Sequence, residues 1–128
     1  MSLIYHIAGR DALAEARRNG EYRTVSLAQD GFIHFSGVHQ VLDVANRFYG
    51  GQHGLLLLEV EAARLHSELK YEAPVHPAAV DAVPAGDELF PHLYGPLNAD
   101  AIVAVYDFEP NAGGKFVLPA DLIVKKDN

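Results

Sequence analysis

The chain contains no cysteine and no tryptophan among its 128 residues. The lack of cysteine excludes disulfides, thiolate metal ligands and a cysteine nucleophile. A chain without disulfides is suited to a reducing compartment, so we expect a cytoplasmic protein.

Basic residues are scarce, with 10 lysines and arginines against 17 acidic residues and a formal charge of −7. Broad nucleic-acid binding and attachment to anionic membranes require a basic surface, and this charge disfavours both. One small anionic ligand can still be held locally by an arginine or a helix N-terminus. The longest strongly apolar run, residues 54–58, is too short to span a bilayer, and the first residues lack the basic region of a signal peptide. We expect no membrane partner.

Length and composition are those of an ordinary globular protein, with 49% hydrophobic and 21% charged residues. A chain of this size can bury a core without covalent crosslinks. We therefore predict a single domain over residues 1–128, with a frayed tail at residues 125–128. Composition leaves the oligomeric state open.

Hydrophobic periodicity predicts two helices, at residues 11–19 and 36–49, with Asp11 and Ser36 as their N-caps and Gly20 ending the first. Residues 21–27 are ambiguous and are interpreted as extended, and residues 74–86 as a loop rich in proline and alanine. Apolar runs predict strands at residues 3–8, 32–35, 54–61, 69–72, 100–108 and 116–118.

Both predicted helices lie in the N-terminal half, and strands run together after them. This order indicates the α+β class rather than alternating βαβ units. We expect a bent or split, mostly antiparallel sheet. The four consecutive leucines at residues 55–58 predict a strand buried on both faces.

The segment at residues 90–97 places His92 and Tyr94 between Pro91 and Pro96, with Gly95 beside the tyrosine. Proline fixes φ and removes a backbone donor, which disfavours a helix or a central strand here. We interpret the segment as a stiff loop that presents two polar aromatic side chains. Such a loop on a rigid scaffold is a common location for function, although a structural turn would look similar.

Five residues form the candidate site. Histidines at positions 6 and 34 interrupt apolar strands, and burying an unpaired imidazole costs about 1–3 kcal/mol, so each needs a partner or a ligand. Several histidines in one small protein favour a shared site over unrelated structural roles, but the latter stay open. The candidates are His6, His34, Ser36, His92 and Tyr94.

Three kinds of site are compatible with these residues. Three imidazoles can hold zinc, but no metal-binding motif with a known spacing is present, so we predict no metal. A nucleophilic Ser36 lacks the GxSxG context, and its hydroxyl has a simpler use as a helix cap. A pocket for a phosphate or ribose can use the helix N-terminus after Ser36 and the three histidines.

A series of segments along the chain resembles a bacterial family known as domain of unknown function 952. The most specific blocks are Gly31-Phe32-Ile33-His34-x-Ser36 and Phe90-Pro91-His92-Leu93-Tyr94-Gly95-Pro96-Leu97. The family pattern often carries a cysteine where this chain has Phe35, so a shared function cannot need that cysteine. The other matching segments are Ile4-Tyr5-His6-Ile7, Gly20-x-Tyr22, Ser26-Leu27, Ala45-Asn46-x-Phe48-Tyr49, Tyr71-Glu72 and Phe116-x-Leu118-Pro119.

This resemblance implies a fold similar to the ADP-ribosyltransferase superfamily, whose split sheet binds NAD⁺. In those enzymes a residue on the first core strand contacts ribose and nicotinamide amide, and His6 matches it by type and position. Tyr94 can supply the aromatic ring that stacks on nicotinamide. His34 lies near the expected position of the second group that contacts the ligand in those enzymes. No glutamate in this chain clearly matches the carboxylate that supports transfer in those enzymes. Glu72 and Glu88 are candidates by residue type only, and His92 can occupy the position of that glutamate instead.

The function expected from this resemblance is an NAD⁺ or ADP-ribose pocket, with NAD as the tentative cofactor. A catalytic version would resemble an ADP-ribosyltransferase or an RNA 2′-phosphate transferase. Its expected catalytic residues are His6, His34, His92 and Tyr94, and its ligand contacts include Ser36. The alternative is a non-catalytic nucleotide or small-molecule binding protein on the same fold.

Overall fold

The structure is a computed structural model that describes residues 2–73 and 89–122. Within these ranges the chain forms eight strands and three α-helices that lie in the N-terminal half, and residues 120–122 are helical as well. The α+β class is confirmed, and the helix at residues 25–30 was not expected. The helices are α1 (Arg10–Asn19), α2 (Val25–Asp30) and α3 (Val41–Phe48), and the strands are β1 (Leu3–Gly9), β2 (Glu21–Tyr22), β3 (Ile33–His34), β4 (Leu55–Glu61), β5 (Glu68–Glu72), β6 (Phe90–Tyr94), β7 (Leu97–Asn98) and β8 (Ile102–Phe108).

The strands form three antiparallel sheets with the orders β1-β4-β8, β2-β7 and β3-β6-β5. The expected antiparallel arrangement is therefore confirmed, as separate small sheets. As the leucine run predicts, β4 is the central strand of its sheet and is buried along its whole length. Leu56 and Leu58 pack into one apolar cluster, and Leu55 and Leu57 pack into a second, on the opposite face. The two clusters cover both faces of this sheet.

The main helix, α3, begins at Val41 rather than at the expected residue 36. Ser36 instead exchanges two backbone hydrogen bonds of 2.8 Å with Tyr5, which holds it in an extended conformation. An extended residue paired to a strand cannot open the helix, so the expectation that Ser36 is the N-cap is wrong. Gln40 precedes the helix, and its side-chain oxygen accepts from the N–H of Gly37 at 2.8 Å.

Residues 21–27, interpreted from sequence as extended, are divided between β2 and α2. Thr24 caps α2 by accepting a hydrogen bond from the N–H of Leu27 at 3.1 Å, and Gly31 ends it in the left-handed conformation at φ 89°. A threonine cap and a glycine stop form a short helix without an apolar stripe, and so without a periodicity signal.

Two further expectations are corrected at element ends. The residue that caps α1 is Gly9 rather than Asp11, which lies in the first turn; Gly20 ends the helix as predicted. The strand predicted at residues 116–118 is reduced to a single bridge between Phe116 and Pro110. Short edge segments gain little from pairing, so periodicity alone overestimates them.

Contrary to expectation, a central strand runs through Pro91: β6 pairs with both β3 and β5. The carbonyl of Pro91 accepts from the N–H of Phe35 at 3.0 Å. In an antiparallel pair the N–H and C=O of one residue face the same neighbouring strand. The donor that proline lacks would therefore have faced Phe35, one residue beyond the end of β3, and the strand loses no ladder bond to β5.

Gly95 directly follows β6 and lies against Ser67, the residue before β5. Its φ is +158°, and a Cβ built on it would meet the Cβ of Ser67 at 2.7 Å and clash with the Ser67 hydroxyl. We expect Gly95→Ala to destabilise the protein by about 1–3 kcal/mol, because Ser67 must move to admit the methyl group. Urea unfolding measures the loss. Gly113→Ala, whose added carbon would be 3.5 Å from its nearest neighbour, is the control; equal losses in both variants would contradict the close approach.

The expected loop at residues 74–86, Glu88 and the tail at residues 125–128 lie outside the described residues. In the part of the chain that the structure describes, no helix is long and apolar enough to cross a membrane.

Candidate functional site

The sheet β3-β6-β5 has two chemically different faces. Residues alternate along a strand, so Ile33 and Leu93 point to one face and their neighbours to the other. Ile33 and Leu93 pair across the strands and are fully buried in the core. The opposite face carries the polar aromatic residues: His34 is paired with His92, and His92 with Lys70. One face of the sheet thus packs in the core, and the other carries the titratable and aromatic side chains.

Three side chains on adjacent strands form a hydrogen-bonded trio. The carboxylate Oε1 of Glu72 accepts from His92 Nδ1 at 2.8 Å and from the hydroxyl of Tyr94 at 2.6 Å. These bonds, first that of Tyr94 and then that of His92, hold the pKa of the Glu72 carboxyl below its usual value. The same carboxylate raises the pKa of Tyr94. At neutral pH the trio thus contains a carboxylate and a protonated phenol.

His92 is held rigidly. Its side chain is only 2% exposed, and its ring stacks on Phe32 with centroids 4.0 Å apart and planes 18° apart. Glu72, with its side chain 37% exposed, reaches the surface. The trio therefore connects a buried imidazole to a solvent-accessible carboxylate.

His34 lies at the side of this trio. Its ring is 5.5 Å from that of His92 and nearly perpendicular to it, and 4.8 Å from that of Phe32. The side chain is 35% exposed and its Nε2 lies 3.4 Å from a carboxylate oxygen of Asp30. The structure thus brings together three predicted residues, His34, His92 and Tyr94.

The charge around the cluster is mixed. Lys70 places its ammonium 4.9 Å from the centre of the Tyr94 ring, a favourable cation–π distance. The sequence contains no lysine or arginine between residues 71 and 114. Lys70 is thus the one basic residue that these strands contribute, beside the carboxylates of Glu72 and Asp30.

His6 is placed in the core behind this sheet. Because a carbonyl only accepts, His6 Nδ1 donates to the backbone oxygen of His34 at 2.7 Å, and Tyr22 donates its hydroxyl to Nε2 at 2.9 Å. Burial lowers the pKa of His6 to about 4, so the ring is neutral. Both ring nitrogens are engaged by the protein, and the bond to the His34 carbonyl supports the strand that carries His34. The ribose contact expected for His6 stays a prediction.

The remaining sequence hypotheses find no geometric support in residues 2–73 and 89–122. Ser36 is buried, pairs with Tyr5 through its backbone and opens no helix that could hold a phosphate. No group of three histidine or acidic side chains in these ranges is arranged to hold a metal ion.

Sequence reasoning gave Glu72 as a candidate by residue type alone. Its position depends on the register of β5 against β6, in which Lys70 pairs with His92 and Glu72 with Phe90. The available signal was the alternation of Lys70 and Glu72 on one face of a predicted strand. Nothing in the sequence showed which strand lies beside it.

Fold and site together define an α+β protein of small antiparallel sheets, one of which carries a cluster of titratable and aromatic side chains on its outer face. The chain belongs to the family described as "Protein of unknown function (DUF952)", whose sequence model matches residues 7–105. No curated protein matches the chain.

Solved structures of one bacterial protein show the same fold. The chain is 33% identical to the crystal structure of protein CC0527 from Caulobacter crescentus, with 95% of this chain and 99% of that chain covered and a TM-score of 0.79. The solution NMR structure of CC0527 is 34% identical, with coverages of 90% and 91% and a TM-score of 0.71.

Proposed function

We propose that this protein binds NAD⁺ or a related ADP-ribose compound on the outer face of β3-β6-β5 and transfers its ADP-ribose group. The observation that carries the proposal is the trio of Glu72, His92 and Tyr94, hydrogen-bonded on adjacent strands. Ribosyl transfer passes through an oxocarbenium-like centre, which a neighbouring carboxylate stabilises. Glu72, a candidate for this carboxylate by residue type, belongs to the trio and reaches the surface with 37% of its side chain exposed.

The surrounding side chains suit parts of such a ligand. Tyr94 offers an aromatic ring to a flat base, His34 and Glu72 offer hydrogen bonds to ribose hydroxyls, and Lys70 offers one positive charge to a diphosphate. The resemblance to the ADP-ribosyltransferase superfamily supports the same ligand. His6 acts indirectly by holding the strand of His34.

A second candidate function is non-catalytic binding of a nucleotide or small molecule on the same face. The position of His6 favours it, because the residue expected to contact ribose has both ring nitrogens engaged by His34 and Tyr22. Release of nicotinamide distinguishes the two candidate functions, since a non-catalytic binding protein, or sensor, binds NAD⁺ without turnover.

NMR titration of the labelled protein with NAD⁺ tests the binding site. We expect shifts centred on His34, His92 and Tyr94, and a loss of affinity of about 10-fold or more in His34→Ala, because a hydrogen bond to the ligand is removed. Tyr71→Phe is the matched control, since Tyr71 lies beside Glu72 but points to the other face of β5. No shifts at millimolar NAD⁺, or equal effects of the two substitutions, would refute the site.

A further inference from the structure

Resting on the proposed function, we infer that His92 is the general base of this site and that it takes its proton from a hydroxyl group. The acceptor of ADP-ribose is then water or an alcohol rather than a phosphate. Besides its contacts with the ligand, Glu72 holds the ring in the tautomer required for this role.

The tautomer of His92 follows from its partner. A carboxylate oxygen only accepts, so the 2.8 Å contact with Glu72 requires a proton on His92 Nδ1. In the neutral ring the other nitrogen, Nε2, then carries the lone pair. A carboxylate that fixes a histidine in this way is the arrangement that makes the opposite nitrogen a base.

In this mechanism Nε2 is the His92 atom that meets the substrate hydroxyl. Among the described residues no hydrogen bond occupies Nε2, yet every buried side-chain nitrogen or oxygen there has a partner. The small exposed part of the His92 side chain, 2% in all, therefore includes Nε2, while the ring stacks on Phe32. A buried ring with one accessible nitrogen has a fixed direction of attack and little freedom to lose on reaction.

The charge of the site indicates the acceptor. A 2′-phosphate would approach the carboxylates of Glu72 and Asp30 with Lys70 as the one basic residue of β5 and β6, and residues 71–114 contain no lysine or arginine. Phosphate recognition ordinarily uses several cations or bidentate arginines, and Lys70 is already assigned to the diphosphate of NAD⁺, so β5 and β6 offer no second cation for a 2′-phosphate. A neutral hydroxyl pays no such electrostatic penalty and can donate its proton to Nε2.

The chemical step is balanced without any further reagent. The bond between the ribose C1′ and the nicotinamide nitrogen breaks, and its electron pair leaves with nicotinamide, which becomes neutral. The acceptor oxygen forms the new bond to C1′ while its proton passes to His92 Nε2. The imidazolium, stabilised by Glu72, then releases that proton to water.

Activity is measured as nicotinamide release from NAD⁺ in water, in water with glycerol, with a serine peptide and with a 2′-phosphorylated oligonucleotide. We expect release with one or more of the hydroxyl acceptors and no dephosphorylation of the oligonucleotide. His92→Gln should lower kcat about 100-fold or more, the usual contribution of a general base, with KM little changed. Glu72→Gln should lower kcat by at least about 10-fold, and Glu72→Asp should recover part of it.

The tautomer is measured separately by ¹⁵N–¹H correlation of the histidine rings at neutral pH. Wild type should show His92 protonated at Nδ1, and Glu72→Gln should shift it toward the Nε2-protonated form. Glu109→Gln is the matched control, because Glu109 accepts from His53 Nδ1 at the same 2.8 Å on an exposed surface. It should change neither kcat nor the His92 signals.

The outcomes separate this inference from the function on which it rests. No binding of NAD⁺ overturns both. Binding without nicotinamide release overturns the role of His92 as base and leaves the sensor. Release that survives His92→Gln, a His92 ring protonated at Nε2 in the wild type, or transfer only to the 2′-phosphate overturns the inference while NAD⁺ chemistry stands.

Discussion

Mild acid is expected to destabilise this protein through His6 before its hydrogen-bonded carboxylates begin to titrate. His6 is 9% exposed, and its ring donates to His34 while accepting from Tyr22, so only the neutral form satisfies both bonds. Burial lowers its pKa from 6.5 to about 4. A protonated ring would lose the bond from Tyr22 and place a charge in the core.

The sign of the effect follows from proton binding. As the pH falls below 6.5 the unfolded chain takes up a proton at this histidine, but the folded protein does not until about pH 4. Stability contributed by neutral His6 is therefore complete above pH 6.5 and is lost between these values. The full difference corresponds to about 3 kcal/mol. Glu61, Glu72 and Glu109 have pKa values below the usual carboxyl value of 4.5, so their contributions are lost at lower pH.

Urea unfolding across this pH window measures the effect. His6→Asn, whose amide can still donate to the carbonyl of His34 but cannot titrate, should be less stable at neutral pH and nearly insensitive to pH between 6.5 and 4.5. His53→Asn, at an exposed histidine, should retain the slope of the wild type. A wild-type stability that is flat over this window would show that His6 is not held neutral by the fold.

The sequence predicts those parts of the fold that depend on local pattern. The leucines at residues 55–58 placed a buried central strand correctly, and Gly20 ended α1 as expected. Ser36 misled because a serine before an apolar stripe has the signature of a cap, whereas pairing with Tyr5, distant in sequence, determines its conformation. Local signals yield to tertiary pairing when the two compete.

Pro91 is a second position at which tertiary pairing overrides a local sequence signal, here a signal against a strand. Proline argues against a central strand unless its missing donor points past the end of a neighbouring strand. Here β3 ends at His34, so the position tolerates proline. The length of β3 and its register against β6 are tertiary facts, and no reading of residues 90–97 alone contains them.

The candidate site was predicted in part for a related reason. His34, His92 and Tyr94 are conspicuous as polar aromatic residues within apolar or constrained segments. His6 has the same sequence context but lies in the core. Alternation along a strand divides residues between two faces without showing which face is covered, so it could not distinguish His6 from the other histidines. Glu72 has no unusual sequence context, and only its pairing with β6 brings it to His92.

Substitution of Leu93 tests whether one face of the sheet β3-β6-β5 packs in the core while the other carries the trio. Leu93 lies between His92 and Tyr94 in β6 but is 0% exposed and packs with Ile33 in the core. Leu93→Ala should destabilise the protein by about 2–5 kcal/mol, through lost apolar contact and the cavity left behind. It removes no group of the trio, so any loss of ligand affinity would follow loss of the fold.

Leu89→Ala is the matched control, because the same side chain is truncated just before β6 at a position that is 49% exposed. It should change stability by no more than about 0.5 kcal/mol in the same urea and circular dichroism experiment. Similar losses in the two variants would mean that the inner face of β6 is not part of the core. If they differ as expected, Leu93 anchors the inner face, and substitutions at His92, Tyr94 and Glu72 report on the chemistry of the outer one.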